Sequence, residues 1–135
     1  MSDGLADKIL LVAWLITKDN KILAEIRKKD DDFGAGETWL PGGHVDAGET
    51  SEDTLLREMK EELGITPLKY SKLCSLDWNY KGETYQVDYF VCTEFSGTIV
   101  ALEAAELVWL GFNELDKLEE GVDRDAAQMY IESLK

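Results

Sequence analysis

The sequence is short of positive charge. Its 135 residues carry 14 Lys plus Arg against 28 Asp plus Glu, a formal net charge of −14. Such a field repels nucleic-acid backbones and anionic membrane surfaces, which argues against polymeric nucleic acid or a membrane as partner. It still admits a small anionic ligand where a divalent cation mediates the contact. Cysteine is scarce as well, with only Cys74 and Cys92, each inside a strand-like run. Without a secretory context they read as reduced core thiols, not as a disulfide or a metal pair. Long hydrophobic runs are missing: "ILLVAWLI", Ile9 to Ile16, falls far short of the roughly 20 residues a membrane span needs. Nor does it read as a signal peptide, because Asp3 and Asp7 precede it and "TKDNK" follows where small cleavage-site residues belong. A cytoplasmic protein is expected. Repeats, low-complexity tracts and linkers are also absent, so residues 1–135 read as one domain. A homodimer is compatible with all of this.

What is present organises into strands around a helix. "KILLVAWLIT" reads as a strand buried on both faces, "KDN" as a turn, and "KILAEIRK" as the returning arm of a hairpin. A polar loop, "DDDFGAGET", leads to a short strand in "TWLPGG", ended by Pro41, Gly42 and Gly43. A helix follows over roughly Ser51 to Leu63, with Thr50 or Ser51 to cap its start and Gly64 its end. "KLCSLDWNY" and "ETYQVDYFVCTEF", joined by "KG", suggest a long hairpin, and "ELVWLGF" a further strand. Asn113 is placed to cap a short helix, and the last helix sets Ala127, Tyr130, Ile131 and Leu134 on one face. Strands on either side of a central helix, with another helix at the end, imply a mixed sheet between helices.

The central helix is unusually acidic. At about 100° per residue, Leu56, Met59 and Leu63 cluster inward, while Glu58, Glu61 and Glu62 fall on roughly the opposite side. Glu58 and Glu62 are a like-charge pair at i,i+4, costing a few tenths of a kcal/mol in an isolated helix. A solvated face would explain three glutamates. So would a shared hard cation, since Mg²⁺ takes carboxylate oxygens together with substrate phosphates.

The rest of the segment separates these readings. Gly43, Glu49, Arg57, Glu58, Glu61, Glu62 and Gly64 stand at fixed spacing, with apolar Met59, Leu63 and Ile65 between and after them. If each of those seven is roughly a one-in-fifteen event, chance produces the set less than about once in 10⁸ windows. Residues 43–65 thus resemble the Nudix box, and the chain is similar to Nudix hydrolases. "PGGHV" leads into the box, and "ELVWLGFNEL" looks like the family's Glu-x-x-Trp segment followed by a short helix.

The resemblance implies an α/β fold, a Nudix-type α/β/α sandwich with a mixed β-sheet between helices. It implies hydrolysis of a phosphoanhydride in a nucleoside diphosphate linked to another group, with Mg²⁺ or Mn²⁺ as cofactor and a small nucleotide as partner. By motif position Glu58, Glu61 and Glu62 correspond to metal ligands, with a backbone carbonyl of Gly42 or Gly43. Glu58 or Glu61 is the expected base that takes a proton from water; Glu103 and Glu106 are candidates outside the box. Glu49 and Arg57 correspond to a pair that holds the loop against the helix. Arg27, His44 and Glu106 are candidates for substrate contact, and Phe33, Trp39, Trp78, Tyr80 and Tyr85 are available to wall a base. Trp39 stands two residues before Pro41, one step closer than the resemblance leads one to expect.

Subclass signatures are mostly missing. The proline typical of ADP-ribose hydrolases is replaced by Tyr80, and Lys81, Gly82 and Glu83 occupy the window where dinucleoside polyphosphate hydrolases carry a tyrosine. By elimination the chain resembles the MutT-like group, which converts (deoxy)nucleoside triphosphates to monophosphate and pyrophosphate. A nucleotide sugar, ADP-ribose or dinucleoside polyphosphate is the alternative substrate. A non-catalytic nucleotide sensor fits less well, because every box carboxylate is kept.

Overall fold

The computed structural model describes residues 8–30, 36–104 and 106–135. Strand β1 (Ile9–Lys18) turns through Asp19 and Asn20, at φ 53° and 59°, into β2 (Lys21–Ile26). Two successive positive φ angles give the turn a twist that matches the strands it joins. Yet β1 and β2 pair only at their turn ends, Thr17 with Ile22 and Lys18 with Lys21. Beyond that they fork. β3 (Thr38–Trp39) follows β2, while β4 (Gly42–His44) lines up along β1, with Leu11 opposite His44 and Ala13 opposite Gly42. The mouth of this fork holds the site described below.

Helix α1 (Ser51–Leu63) opens on a reciprocal cap: the Asp53 N–H donates to Thr50 Oγ1 and the Thr50 N–H to Asp53 Oδ2, both at 3.1 Å. Gly64, left-handed at φ 73°, closes it by donating to Lys60 O. β5 (Thr66–Tyr80) and β6 (Glu83–Ser96) form the long hairpin, turning through Lys81 and Gly82. β6 runs parallel to β1 from Ile9–Tyr85 to Ile16–Cys92, which makes the seven-stranded sheet mixed. β7 (Glu106–Gly111) pairs with β2, and α2 (Val122–Ser133) ends the fold after a 3₁₀ turn at Leu115–Lys117.

Each helix covers one face of the sheet. Leu55, Met59 and Leu63 of α1 pack on Val12, Trp14, Ile16 and Phe90. Ala126 and Ala127 of α2 join Ala13, Leu15, Tyr89 and Leu118 on the other face. Val12 to Ile16 are all buried because β1 is central and its alternate side chains feed both cores. Burying a leucine such as Leu55 or Leu63 contributes roughly 1.5–3 kcal/mol, so α1 is anchored mainly by this stripe. No helix among the described residues is long and apolar enough to cross a membrane.

Several local expectations change. Gly42 and Gly43 do not end a strand; they form β4. Leu56 is 39% exposed, and Leu55 takes the inward position instead. Glu62 is not on the solvated side but buried, 5% exposed, because the sheet lies beneath it. Asn113 is not at the cap position: the short turn starts after Glu114, whose side chain accepts from the Gly111 N–H at 2.8 Å. Leu134 lies past the end of α2 and is exposed. Phe33 falls outside the described residues.

Candidate active site

A cleft of about 440 Å³ opens in the fork between β1/β4 and β2/β3. It is lined by Gly42, Gly43 and His44 of β4, Glu58 and Glu62 of α1, and Glu103. Trp39, Leu40, Trp78 and Asp123 line it as well, with Glu25 and Arg27 of β2.

Arg57 organises the acidic end. Its Nε donates to Glu49 Oε2 at 2.7 Å and its Nη2 to Glu49 Oε1 at 2.9 Å, a two-pronged contact. Its Nη1 donates to Glu58 Oε1 at 2.7 Å and to Glu61 Oε2 at 3.2 Å, and Nη2 reaches the His44 carbonyl at 3.1 Å. One guanidinium therefore joins the loop after β4 to two acidic residues of the helix. Glu49 also accepts from the Thr54 hydroxyl and the Asp46 N–H. The Arg57 hydrogen bond is the main reason its carboxyl is held down to about 2.

Beside this frame, one oxygen from each of Glu58, Glu62 and Glu103 lies within 4.8 Å of the other two. Oxygens about 2.1 Å from a magnesium ion are at most about 4.2 Å apart, so small side-chain movements would close these three on one ion. Glu62 Oε2 is buried without a hydrogen-bond partner. Burial, then a hydrogen bond with Glu58, then the nearby Glu25, Glu58 and Glu103 carboxylates push Glu62 far above the usual carboxylate range. A hard cation answers each of these features, so the residues fit one. Gly43 completes the cradle: a Cβ there would meet the Glu58 carboxyl, while one on Gly42 would meet the Val12 carbonyl.

The other sequence candidates divide. Glu61 is half-exposed and held by Arg57, apart from the three-carboxylate group. Of the two acids outside the box, Glu103 joins that group; its carboxyl is raised by burial and by Glu58 and Glu61. Glu106 begins β7 opposite Ile26 and is not among the residues lining the cleft. Arg27 and His44 both line it. Trp39 sits 5.2 Å from Trp78 between ring centroids, and Tyr80 and Tyr85 pack against Trp78 at 4.6 and 5.2 Å. Only the first two of these aromatics line the cleft.

Two acids escaped the sequence. Asp123, in the first turn of α2, accepts from Tyr89 Oη at 2.6 Å and from the Leu40 N–H at 2.9 Å. Burial raises it to about 6. Glu25, 2% exposed, lies 3.4 Å from Arg27 Nη1 and is raised to about 7, chiefly by burial. The only local signal was an acid inside the apolar run "ILAEI".

Residues 9–131 match the family described as the NUDIX domain. The chain belongs to that family. It is 38% identical to an ADP-ribose pyrophosphatase of Methanocaldococcus jannaschii, over 79% of this chain and 64% of that one, just under two thirds of its length. It is 34% identical to a CTP pyrophosphohydrolase of Escherichia coli, over 75% of this Nudix chain and 74% of the other. The solution structure of the E. coli ORF135 protein superposes with a TM-score of 0.82 at 29% identity, covering 98% and 94% of the two chains. The mixed seven-stranded sheet between two helices is thus the Nudix fold. The pyrophosphatase and pyrophosphohydrolase relatives belong to the enzyme class that the box implies, hydrolases of pyrophosphate bonds.

Proposed function

We propose that this chain is a divalent-metal-dependent pyrophosphohydrolase that converts a (deoxy)nucleoside triphosphate to the monophosphate and pyrophosphate. The observation that carries the reading is the convergence of Glu58, Glu62 and Glu103 in a cleft that Trp39 and Trp78 also line. Charge is gathered where phosphates would sit, and flat apolar surface where a base would stack. Glu58 and Glu62 would hold Mg²⁺ or Mn²⁺ with a carbonyl of Gly42 or Gly43, and Glu103 would stand beside the ion; Glu61, which Arg57 holds apart from this group, would have to turn inward to join. The bound cation would supply positive charge to phosphate oxygens.

This chain's residues do the rest. Arg57 keeps Glu58 aimed at the cleft, and Arg27 binds a phosphate from the opposite wall. By motif position the base would be Glu58 or Glu61, but Arg57 Nη1 engages both. Glu103 makes no such contact among the described hydrogen bonds, lies within 4.8 Å of Glu58 and Glu62 and has its carboxyl raised by burial and by the Glu58 and Glu61 charges, so we assign it the proton from the attacking water. The whole chain acts as one domain, with box residues 43–65 at its centre. The free thiols of Cys74 and Cys92 suit a reducing compartment such as the cytoplasm.

A second reading rests on the 38% identity to the ADP-ribose pyrophosphatase: the same site would cleave ADP-ribose. Product analysis with Mg²⁺ on nucleoside triphosphates, ADP-ribose, a nucleotide sugar and a dinucleoside tetraphosphate decides between them. Pyrophosphate release from triphosphates, lost in Glu58→Gln, is the expected result. Cleavage of ADP-ribose alone establishes the second reading, and metal-dependent binding without turnover would make the chain a sensor.

A further inference from the structure

Glu25 is an acid where the fold gives no structural reason for one. It lies in the middle of β2, between Ala24 and Ile26, with Trp39 opposite it on β3 and Leu107 on β7. Its side chain is 3% exposed, and its ion pair with Arg27 is long at 3.4 Å. Charge-assisted pairs close to about 2.7–2.9 Å when they are made for each other. A carboxylate offers about four acceptor positions, so one distant guanidinium leaves this one able to take further donors.

Its place along the cleft says which donors. Glu25 and Arg27 are two apart on one strand and share a face. The proposed function gives Arg27 to a phosphate and Trp39, directly across from Glu25, to the base, and all three residues line the cleft. Glu103 and Asp123 both bear on the Glu25 charge, and Glu25 on that of Glu62, so Glu25 lies within reach of the three-carboxylate group and of Asp123. The middle of a nucleotide laid along this line is its sugar. Sugar donors are hydroxyls, and the two oxygens of a carboxylate match the vicinal 2′ and 3′ hydroxyls of ribose, as acidic residues do in dinucleotide-binding folds.

We infer that Glu25 reads the sugar: its carboxylate accepts the 2′-hydroxyl, so the cleft favours ribonucleotides over their 2′-deoxy forms. This rests on the proposed function in assuming a nucleotide that spans the cleft. It adds the sugar, which that reading leaves open. With the Glu25 side chain this buried, a 2′-deoxy substrate leaves the carboxylate short of a donor.

The test compares kcat/KM for one ribonucleoside triphosphate and its 2′-deoxy form in wild type, Glu25→Ala and Glu25→Gln. Wild type is expected to favour the ribo form by about ten- to a hundredfold, the worth of a hydrogen bond to a charged group. Glu25→Ala brings the ratio to within about threefold of one, mainly by losing the ribo substrate, and Glu25→Gln, which keeps an acceptor oxygen, falls between. Equal use of both sugars by wild type, a deoxy preference, or an unchanged ratio in Glu25→Ala overturns the inference. The last result would mean that Glu25 only orients Arg27, which lowers both substrates alike. If Glu25→Ala does not fold, the wild-type ratio and Glu25→Gln decide. If neither triphosphate is cleaved, the triphosphate reading fails separately, and the same comparison with ADP-ribose and its 2′-deoxy form, read as equilibrium binding, still tests Glu25.

Discussion

The Glu58 carboxyl occupies the space that a Cβ on Gly43 would fill. Backbone of β4 and side chain of α1 therefore meet with no atom to spare, and Arg57 Nη1 holds the carboxyl there at 2.7 Å. Gly43→Ala must push Glu58 off this position. Misplacing a reacting group by about 1 Å costs on the order of a hundredfold in rate. We expect kcat/KM to fall by about that factor while the melting temperature changes by only a few degrees, because the displaced group borders a cleft and not the core. Steady-state kinetics and a thermal melt on one preparation check both halves.

Glu49 makes a pH prediction. Its folded value of about 2 lies below the 4.5 of the unfolded chain. The stabilisation is therefore fully present above about pH 4.5 and is lost as pH falls toward 2. Glu49→Gln cannot ionise and makes a weaker pair with Arg57. It should melt below wild type at pH 7, and the gap should close on acidification through that window. A gap that stays constant with pH would show that Arg57 gains nothing from the Glu49 charge.

The candidate site is legible in the sequence only in part, for physical reasons that apply unevenly. The cap at Thr50 and the stop at Gly64 depend on neighbours three or four residues away, so α1 runs from Ser51 to Leu63 as expected. The box spacing carried Glu49, Arg57 and Glu58 in the same local way. Glu62 was misplaced because helical angle alone cannot say how deeply the sheet embraces a helix, and its burial comes from strands far along the chain. Glu103 lies 41 residues from Glu62 and 45 from Glu58 in the numbering, and nothing local singled it out over Glu106. Asp123 was invisible for the same reason: its partner Leu40 is 83 residues away.

Glu62 gives the sharpest metal prediction. Burial raises its carboxyl above the 4.5 of the unfolded chain, so without a cation its ionisation opposes folding, increasingly so as pH rises above that value. Glu62→Gln removes this cost. In EDTA at pH 7 the variant should melt about 3 °C or more above wild type. Adding Mg²⁺ should raise the wild-type melting temperature and leave the variant nearly unmoved, since only the native carboxylate site binds the ion. Glu61→Gln, at a half-exposed position, should show no such gain in EDTA.

Asp123 joins three elements, taking the Tyr89 hydroxyl of β6 and the Leu40 N–H between β3 and β4 onto the first turn of α2. Asp123→Ala leaves both donors buried and unmet, at about 1–3 kcal/mol for each. We expect a loss of about 2–4 kcal/mol in urea unfolding, with KM raised because Leu40 lines the cleft. Asp123→Asn should cost less, since its amide oxygen can take the Leu40 N–H and its nitrogen can face the Tyr89 oxygen. The folded value of about 6 exceeds the unfolded 3.8, so ionising the wild-type acid works against folding as pH rises between those values. The asparagine variant is spared that loss. Its deficit relative to wild type should be largest near pH 4 and shrink through pH 6. A deficit that grew instead would mean that the ionised carboxylate, not the protonated acid, is the form the fold prefers.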